Sequence, residues 1–284
     1  MRSTPHRIAR RILPLRVRQR LLSIWSWPRT VAAVSDVESF RQYRRLENTT
    51  TRWRPEETSV SVRLRPLGGR PVHVRPRTAD RYALRATFSD VFHRPPAEVP
   101  SDSIEVIWDL GANIGLTMAD FAVGYPDAEI VGVELDPENA ALCRQNVEGF
   151  GGRCRLIEAA VWAEDGEIDY RRDPGMETGF RVGPVARTAA NARARSVSLN
   201  TLLSQTPGGH VDFAKIDIEG AERDVLQRHT EWARAVRSLK VEVHEPYTVG
   251  ECLQDLRSLG FSATLDERHS ICVIGVRATF TQLW

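Results

Sequence analysis

Short apolar runs alternate with helical patterns along the chain from residue 104 onwards. The apolar runs predict strands, and apolar residues at helical spacing predict helices between them. The predicted strands cover 104–110, 129–135, 154–161, 211–218, 238–243 and 270–276, and the main predicted helices cover 137–147, 221–230 and 249–259. Strands separated by helices are typical of an α/β fold, in which a parallel, Rossmann-like sheet carries helices on both faces.

Before residue 101 the pattern predicts a smaller extension. Apolar and polar residues alternate on both sides of the Gly68-Gly69 pair, which indicates a β-hairpin with a glycine turn. The apolar positions of this hairpin are Val60, Val62, Leu64, Val72 and Val74.

Two helices are predicted beside the hairpin. Ser35 and Glu38 have the spacing of a capping box, so we expect a helix that runs from there towards Leu46. A second helix is expected to begin at Thr78 or Asp80 and to continue through Phe92.

These patterns divide the chain into a tail (1–34), an extension (35–100) and a sheet domain (101–284). Every charged residue before Asp36 is an arginine. Residues 16–27 carry an apolar helical face that would let them lie on a membrane surface as a peripheral contact. This face is only about two turns long, which favours a tail, or a helix packed on the main domain, over membrane contact.

Composition and charge narrow the function classes. The formal net charge is only +2, so nothing in it implies nucleic acid or another polyanion as a partner. The four cysteines lack the paired spacing of a zinc site and the density of a disulfide framework, which indicates a reducing, cytoplasmic location. No apolar stretch is long enough to span a membrane, and the arginine- and alanine-rich segment 187–195 is interpreted as a solvated loop.

A glycine turn follows the first strand of the sheet domain. The strand runs to Asp109, and Gly111 and Gly115 let the backbone turn tightly and approach a ligand at the start of a helix. This spacing differs from the G-x-G-x-x-G turn that holds a pyrophosphate. Asp109 would repel phosphate but suits an ammonium group, so the pattern favours a cationic cofactor.

The next strand ends at a second acid, Glu134. An acid about twenty residues past a glycine turn is placed to bind ribose hydroxyls. Together with Asp109 and the glycines, Glu134 indicates a site for an adenosine that is joined to an amino acid.

Two later strands carry further polar residues. By the two-residue period of a strand, Lys215, Asp217 and Glu219 project to one side. A structural ion pair of Lys215 with Asp217 or Glu219 is the alternative to a chemical role. Glu242 and His244 share a face at the end of the following strand, at the sheet edge where open α/β folds bind ligands. We therefore expect Glu242 and His244 to converge with Asp217 and Glu219, and Lys215 to lie beside them, in a catalytic or metal-binding group.

Through these motifs the chain resembles the FkbM family of methyltransferases. The resemblance is carried by D-L-G-A-N-I-G at 109–115, K-I-D-I-E-G-A-E at 215–222, E-V-H at 242–244 and, upstream, R-P-R-T-A-D at 75–80, and it covers roughly residues 72 to 245. It implies a class I methyltransferase sheet, S-adenosylmethionine (SAM) as cofactor, and O-methylation of a hydroxyl on a sugar, a glycolipid or a natural product. The implied cofactor contacts are Asp109, Gly111, Asn113 and Gly115 at the methionine end, Glu134 at the ribose, and Ala160 and Val161 near the adenine.

Two departures from the family pattern concern the substrate side. Asn200 stands where the family usually has an aspartate, within the segment 198–200. The aromatic that usually follows the helix after Asp80 is replaced around His93-Arg94. The substrate-side wall is therefore not assigned by the resemblance.

Two interpretations of the polar group remain open. An alcohol needs help to lose its proton at neutral pH, and His244 could supply it as a general base oriented by Glu242. Alternatively, a divalent ion held by Asp217, Glu242 and His244 could lower the pKa of the hydroxyl. Because no two of these ligands share a helix-spaced motif, the base is favoured.

Other functions are considered beside O-methylation. An N-methyltransferase or a nucleic-acid methyltransferase has some support from the N-terminal arginines, but no aromatic-proline loop follows the fourth strand. A nicotinamide-dependent oxidoreductase is disfavoured by the spacing of the glycine turn. A binding module without catalysis would have no use for four converging polar residues.

Overall fold

A computed structural model describes residues 32–48, 50–171 and 192–277. In chain order the elements are α1 (Val37–Glu47), β1 (Val60–Leu64), β2 (Arg70–Val74), α2 (Asp80–Arg85), β3 (Val106–Leu110), α3 (Leu116–Gly124), β4 (Glu129–Glu134), α4 (Pro137–Val147), β5 (Cys154–Glu158), β6 (Ala160–Val161), β7 (Gly166–Tyr170), β8 (Ala192–Val197), α5 (Leu199–Ser204), β9 (Val211–Ile216), α6 (Glu222–Gln227), β10 (Val236–Glu242), α7 (Val249–Ser258), β11 (Ser262–Leu265) and β12 (Cys272–Val276). The segment 16–27 and its proposed helix lie outside the described residues.

The main sheet has the order β5-β4-β3-β9-β10-β12-β11. The pairs formed by β5, β4, β3, β9 and β10 are parallel, whereas β12 runs antiparallel to both of its neighbours. Successive side chains of the central strands enter different apolar cores: Trp108 packs in one core and Ile107 in another. The predicted parallel α/β sheet with helices on both faces is confirmed.

The parallel arrangement brings the carboxyl ends of β3, β4, β9 and β10 to one edge of the sheet. Lys215 of β9 lies between two strand partners at this edge, Asp109 of β3 on one side and Lys240 of β10 on the other. Residues that follow these four strands therefore share one edge, and this edge holds the candidate site.

The predicted hairpin is confirmed as β1 and β2, with Val60 paired to Val74. Its buried valines pack against Ile114 and Leu116 at the start of α3, so the extension shares a core with the sheet domain. Asn146 of α4 strengthens the contact by accepting from the His73 backbone N–H at 2.7 Å. The division of the chain at residue 101 stays a prediction.

Both predicted boundaries of the N-terminal helices need correction. The cap of α1 is Asp36, whose carboxylate accepts from the Ser39 N–H, and the Ser35-Glu38 capping box is wrong. Ser35 instead donates its own N–H to Arg63 in β1. The helix predicted through Phe92 is α-helical over Asp80–Arg85 and continues as a π-helical turn over Ala86–Asp90. It ends two residues earlier than predicted because Val91 adopts a left-handed backbone with φ 55°.

The predicted strand at 154–161 is two strands in different sheets. After β5 the chain leaves the main sheet, and β6 joins β8 and β7 in a small three-stranded sheet. The segment 192–195 belongs to β8, so its prediction as a loop is wrong. Its arginines stay on the exposed face, where Arg193 pairs with Glu167 and Asp169 across the strands.

Several other ends differ by a few residues. The strand predicted to 218 stops at Ile216, and the helix predicted at 221–230 is the shorter α6 followed by a separate turn at Thr230–Ala235. Strands β7 and β11 were not predicted. Within the described ranges, no helix is both long and apolar enough to cross a membrane.

Candidate active site

The glycine turn between β3 and α3 is shaped by left-handed backbone at three positions. The φ angles are 81° at Gly111, 50° at Asn113 and 80° at Gly115. A Cβ on Gly111 would lie 1.8 Å from the carbonyl oxygen of Asp217, so no larger residue fits between the two chain segments. The turn therefore packs directly against the residue that follows β9.

Asp109 lies below this turn and is fully buried. Its carboxylate accepts a hydrogen bond from the Thr117 hydroxyl and lies 3.3 Å from the Lys215 ammonium. Thr117 and Lys215 line a cavity, whereas Asp109 does not. Direct contact of Asp109 with a cofactor stays a prediction, and the structure places it behind the two residues that reach the cavity.

Glu134 at the end of β4 supports the glycine turn from the other side. One carboxylate oxygen accepts from the Asn113 N–H at 2.8 Å, and the other accepts from the Asp136 N–H at 2.9 Å. Burial raises the pKa of Glu134 to about 7, although both backbone hydrogen bonds act in the opposite direction. A buried carboxylate in this position is suited to accept hydrogen bonds from hydroxyl groups of a ligand.

Two cavities meet at the carboxyl edge of the sheet. The larger cavity, of about 340 Å³, is lined by Glu134 and by Ala160 and Val161, as expected for an adenosine site. The smaller cavity has a volume of about 270 Å³. Residues that line both cavities are Ala83, Ala86, Gly111, Asn113, Asp217 and Glu242. Gly115 lines neither, because it packs against Cys143 of α4.

Asn113 offers a direct test of whether a cofactor fits these cavities. Its side-chain oxygen is buried and has no hydrogen-bond partner among the described residues, although the residue borders both cavities. A buried acceptor without a donor is costly unless a ligand supplies one. The ammonium group of an amino-acid moiety is such a donor, so the residues present fit a cofactor of the predicted kind.

His244 stands at the centre of a carboxylate cluster. Its Nε2 lies 3.3 Å from Glu219, 3.9 Å from Asp217 and 4.0 Å from Glu242. These three acids line the larger cavity, and His244 lies behind them with a partly exposed ring. The predicted convergence of the four side chains is therefore confirmed.

The other ring nitrogen of His244 has a partner that the sequence did not predict. Nδ1 lies 2.8 Å from Oε1 of Glu222, a fully buried carboxylate at the start of α6, and both oxygens of Glu222 also accept from the Gly220 N–H. The prediction that Glu242 orients the imidazole needs correction, since Glu242 faces Nε2 instead. Glu222 is the last acid of the K-x-D-x-E-G-x-E motif, so the signal was present in the sequence without an assigned role.

Burial and the charges of neighbouring groups shift the pKa values of the side chains in this cluster. Burial alone would lower the pKa of His244, but the hydrogen bond to Glu222 and the nearby carboxylates raise it to about 9. Burial, followed by the charge of Asp217, raises the pKa of Glu242 to about 7. Burial likewise raises the pKa of Glu219. The imidazole is therefore held by the acids in its protonated form near neutral pH.

Lys215 is the cation that joins the two halves of the site. Its ammonium lies 3.3 Å from both Asp109 and Asp217 and donates to the carbonyl of Gly111. These charges raise its pKa above the ordinary value despite its burial. The ion pair with Asp217 matches the structural alternative for Lys215, and the same ammonium also fixes the glycine turn.

Residues 109–263, more than half of the chain, match the FkbM methyltransferase domain family. The chain belongs to the FkbM methyltransferase family. It is 25% identical over 236 residues to 31-O-demethyl-FK506 methyltransferase FkbM from Streptomyces tacrolimicus, covering 71% of this chain and 89% of that protein. It is 23% identical to the hexuronic acid methyltransferase AglP from Haloferax volcanii, covering 61% of this chain and 71% of that protein. It is 26% identical to the 2-O-methyltransferase NoeI from Sinorhizobium fredii, covering 56% of this chain and 71% of that protein.

Membership in the FkbM family settles the enzyme class. The chain is a methyltransferase with a Rossmann-like class I fold, and the family and fold imply SAM as the methyl donor. The strand order, with a central β3 and an antiparallel β12, is the sheet that the resemblance predicted.

The two departures from the FkbM family pattern have structural explanations away from the carboxylate cluster. The Asn200 side chain donates to the His229 carbonyl and to Glu231, and accepts from the Trp232 N–H, so it joins α5 to the turn after α6. His93 and Arg94 both bind the buried carboxylate of Asp120 in α3. His93 also borders the smaller cavity, so it contributes to the wall of that cavity.

Proposed function

We propose that this FkbM-family enzyme transfers the methyl group of SAM to a hydroxyl of a sugar, a glycolipid or another natural product. The relatives named above are a 31-O-demethyl-FK506 methyltransferase, a hexuronic acid methyltransferase and a 2-O-methyltransferase, which supports an oxygen acceptor. The small net charge supports a small-molecule or glycan acceptor over a nucleic acid. A cytoplasmic site of action belongs to the same proposal.

The test of this proposal is a product analysis. The purified enzyme is incubated with methyl-labelled SAM and a panel of uronic acids, neutral glycosides and polyketide alcohols, and the products are separated by mass spectrometry. We expect a labelled methyl ether on a hydroxyl oxygen of at least one acceptor class. Label found only on nitrogen acceptors or nucleic acid would contradict the oxygen specificity.

In the proposed arrangement the larger cavity holds the adenosine part of SAM. Glu134 would accept from the ribose hydroxyls, Ala160 and Val161 would contact the adenine, and Asn113 would accept from the methionine ammonium. When bound, SAM supplies a methyl group that its sulfonium has already activated. The enzyme's own residues then have two tasks, which are to align the acceptor and to remove its proton.

The observation that carries the proposed mechanism is the 2.8 Å contact between His244 Nδ1 and buried Glu222. A carboxylate on Nδ1 fixes the tautomer and the ring orientation, which leaves Nε2 to accept a proton among the acids that line the larger cavity. In this proposal His244 is the general base and Glu222 is a positioning residue. Asp217, Glu219 and Glu242 line the path of the acceptor and compensate the charge that the imidazole gains.

The proposed base predicts an alkaline pH profile. Only neutral His244 can accept a proton, and its pKa is raised to about 9. We therefore expect kcat/KM to rise roughly tenfold per pH unit from neutral pH and to level off above about 9. Initial rates at saturating SAM and limiting acceptor measure this profile. A rate that is constant from pH 6 to 9 would contradict His244 as the base.

A divalent ion is the second candidate for activating the hydroxyl. Single oxygen atoms of Asp217 and Glu242 and one nitrogen of His244 lie within 4.8 Å of one another. Oxygen and imidazole ligands of this kind suit magnesium, manganese or zinc. Such an ion would lower the pKa of the acceptor hydroxyl in place of the histidine.

Chelation separates the two candidates. With His244 as the base, exhaustive dialysis against EDTA followed by gel filtration should leave kcat within about twofold of its starting value. The assay is repeated with each divalent ion added back at equal ionic strength. If EDTA abolishes the activity and one added ion restores it, the result would contradict His244 as the base and support activation of the hydroxyl by a divalent ion.

A further inference from the structure

A second group of potential ligands lies on the far side of Glu242. The Nδ1 atom of His269 lies 2.8 Å from the sulfur of Cys272 and 4.0 Å from Oε2 of Glu242. One ligand atom from each of these three residues lies within 4.8 Å of the other two. All three residues line the smaller cavity, so a ligand in the cavity can reach them.

The loop before β12 holds His269 and Cys272 in place. Cys272 is buried and donates its backbone N–H to the His269 carbonyl, while its own carbonyl accepts from Asp266. The His269 ring stacks on Phe92, with ring centroids 4.5 Å apart and an angle of 6° between the planes. The imidazole therefore has a fixed orientation, which is a requirement for a preformed ligand.

Glu242 faces both ligand groups with different atoms. Its Oε1 is directed towards His244, and its Oε2 is directed towards His269. Cys272 is the direct strand partner of Glu242 in the antiparallel pair of β10 and β12, so the backbone keeps these two side chains together. An ion on the His269 side would leave Oε1 in place beside His244.

The charges around this group permit a cation. Lys240 lies nearby, but its ammonium is paired with Asp266 and donates to the Phe92 carbonyl. Asp217 and Glu242 add negative charge from the cluster beyond. The positive charge of Lys240 is therefore compensated by Asp266 and does not exclude a cation from this group.

We propose that Glu242, His269 and Cys272 form a binding site for a thiophilic divalent ion of the zinc class. Sulfur, imidazole nitrogen and carboxylate oxygen are the three ligand types that zinc accepts, and zinc sites with three protein ligands leave a fourth position open. Bond lengths in such sites put neighbouring ligand atoms roughly 3.4 Å apart. Ion binding would therefore lengthen the 2.8 Å contact between His269 and Cys272 and shorten the 4.0 Å separation between His269 and Glu242. The spacing of the cysteines did not indicate this site, because its other two ligands are His269 and a carboxylate on the neighbouring strand.

Cobalt(II) titration of the full-length protein tests the proposal. Cobalt occupies zinc-type sites, and a cysteine ligand produces a thiolate-to-cobalt charge-transfer band in the near ultraviolet. We expect this band to saturate at one cobalt per chain and to disappear when Zn²⁺ is added. The band should be absent in Cys272→Ser and unchanged in Cys154→Ser, a control thiol on β5 outside the group.

A second variant keeps the test decisive if Cys272→Ser folds poorly. His269→Ala leaves every thiol in place and should weaken Zn²⁺ binding, measured by competition with a chromogenic chelator, at least about tenfold. Circular dichroism confirms the fold of each variant. Cobalt binding without the charge-transfer band, or a band that persists in Cys272→Ser, would overturn the proposal. Because the readout is spectroscopic, this outcome is independent of whether methyl transfer occurs.

Discussion

Replacing His244 with alanine should lower kcat by about 10²- to 10⁴-fold, the usual contribution of a general base. The affinity for SAM should change by less than about twofold, because His244 lies behind the acids and does not line the adenosine end of the larger cavity. Single-turnover rates at saturating SAM measure the first quantity, and calorimetric titration measures the second.

His210→Ala is the matched control for this loss. His210 precedes β9 at the opposite edge of the sheet, where it faces Asp212, and its removal should leave kcat unchanged. Glu222→Gln should also lower kcat. It should shift the rise of the pH profile to lower pH, because a neutral amide stabilises the imidazolium of His244 less than the carboxylate does. A fully active His244→Ala variant would refute both the base and the metal at His244.

Replacing Glu134 with alanine should abolish most of the stabilisation that SAM gives to the protein. A ligand at about 100 times its Kd adds about 2.7 kcal/mol to the free energy of unfolding, which corresponds to a rise in Tm of roughly 5 to 10 °C for a domain of this size. The variant loses a single carboxylate with two roles, since Glu134 is proposed to bind the ribose and also accepts from the Asn113 N–H. Thermal unfolding with and without SAM measures the difference.

Glu158→Ala controls for the loss of a carboxylate at this edge. Glu158 is the strand partner of Glu134 on β5, but it pairs with Arg144 on the surface and does not line the cavity. Its variant should keep the full shift in Tm with SAM. An undiminished shift in Glu134→Ala would remove Glu134 from the cofactor site, whatever its effect on the protein without ligand.

The sequence predicted best where local chemistry determines the structure. Helix α4 was predicted with its observed bounds, because Pro137 is favoured in the first turn and Asp136 caps the helix. Gly111 and Gly115 marked the turn because their left-handed backbone is readily adopted only by glycine. The convergence of Asp217, Glu219, Glu242 and His244 followed from the parallel order of strands.

Tertiary contacts explain what the sequence could not predict. The chain leaves the main sheet after β5 because β6 finds a partner in β8, which lies more than thirty residues further along. The role of Glu222 depends on the entry of α6 beneath His244, a position that no local pattern encodes. The 266–272 loop likewise brings His269 to Glu242 only through the antiparallel return of β12.

The central claim is that the glycine turn and Glu134 bind SAM. Isothermal titration of the unmodified protein with S-adenosylhomocysteine tests it without knowledge of the acceptor, and NADH is titrated in parallel. We predict saturable binding of one S-adenosylhomocysteine per chain, displaced by SAM, and no heat from NADH. Saturable binding of NADH with none of S-adenosylhomocysteine would contradict it.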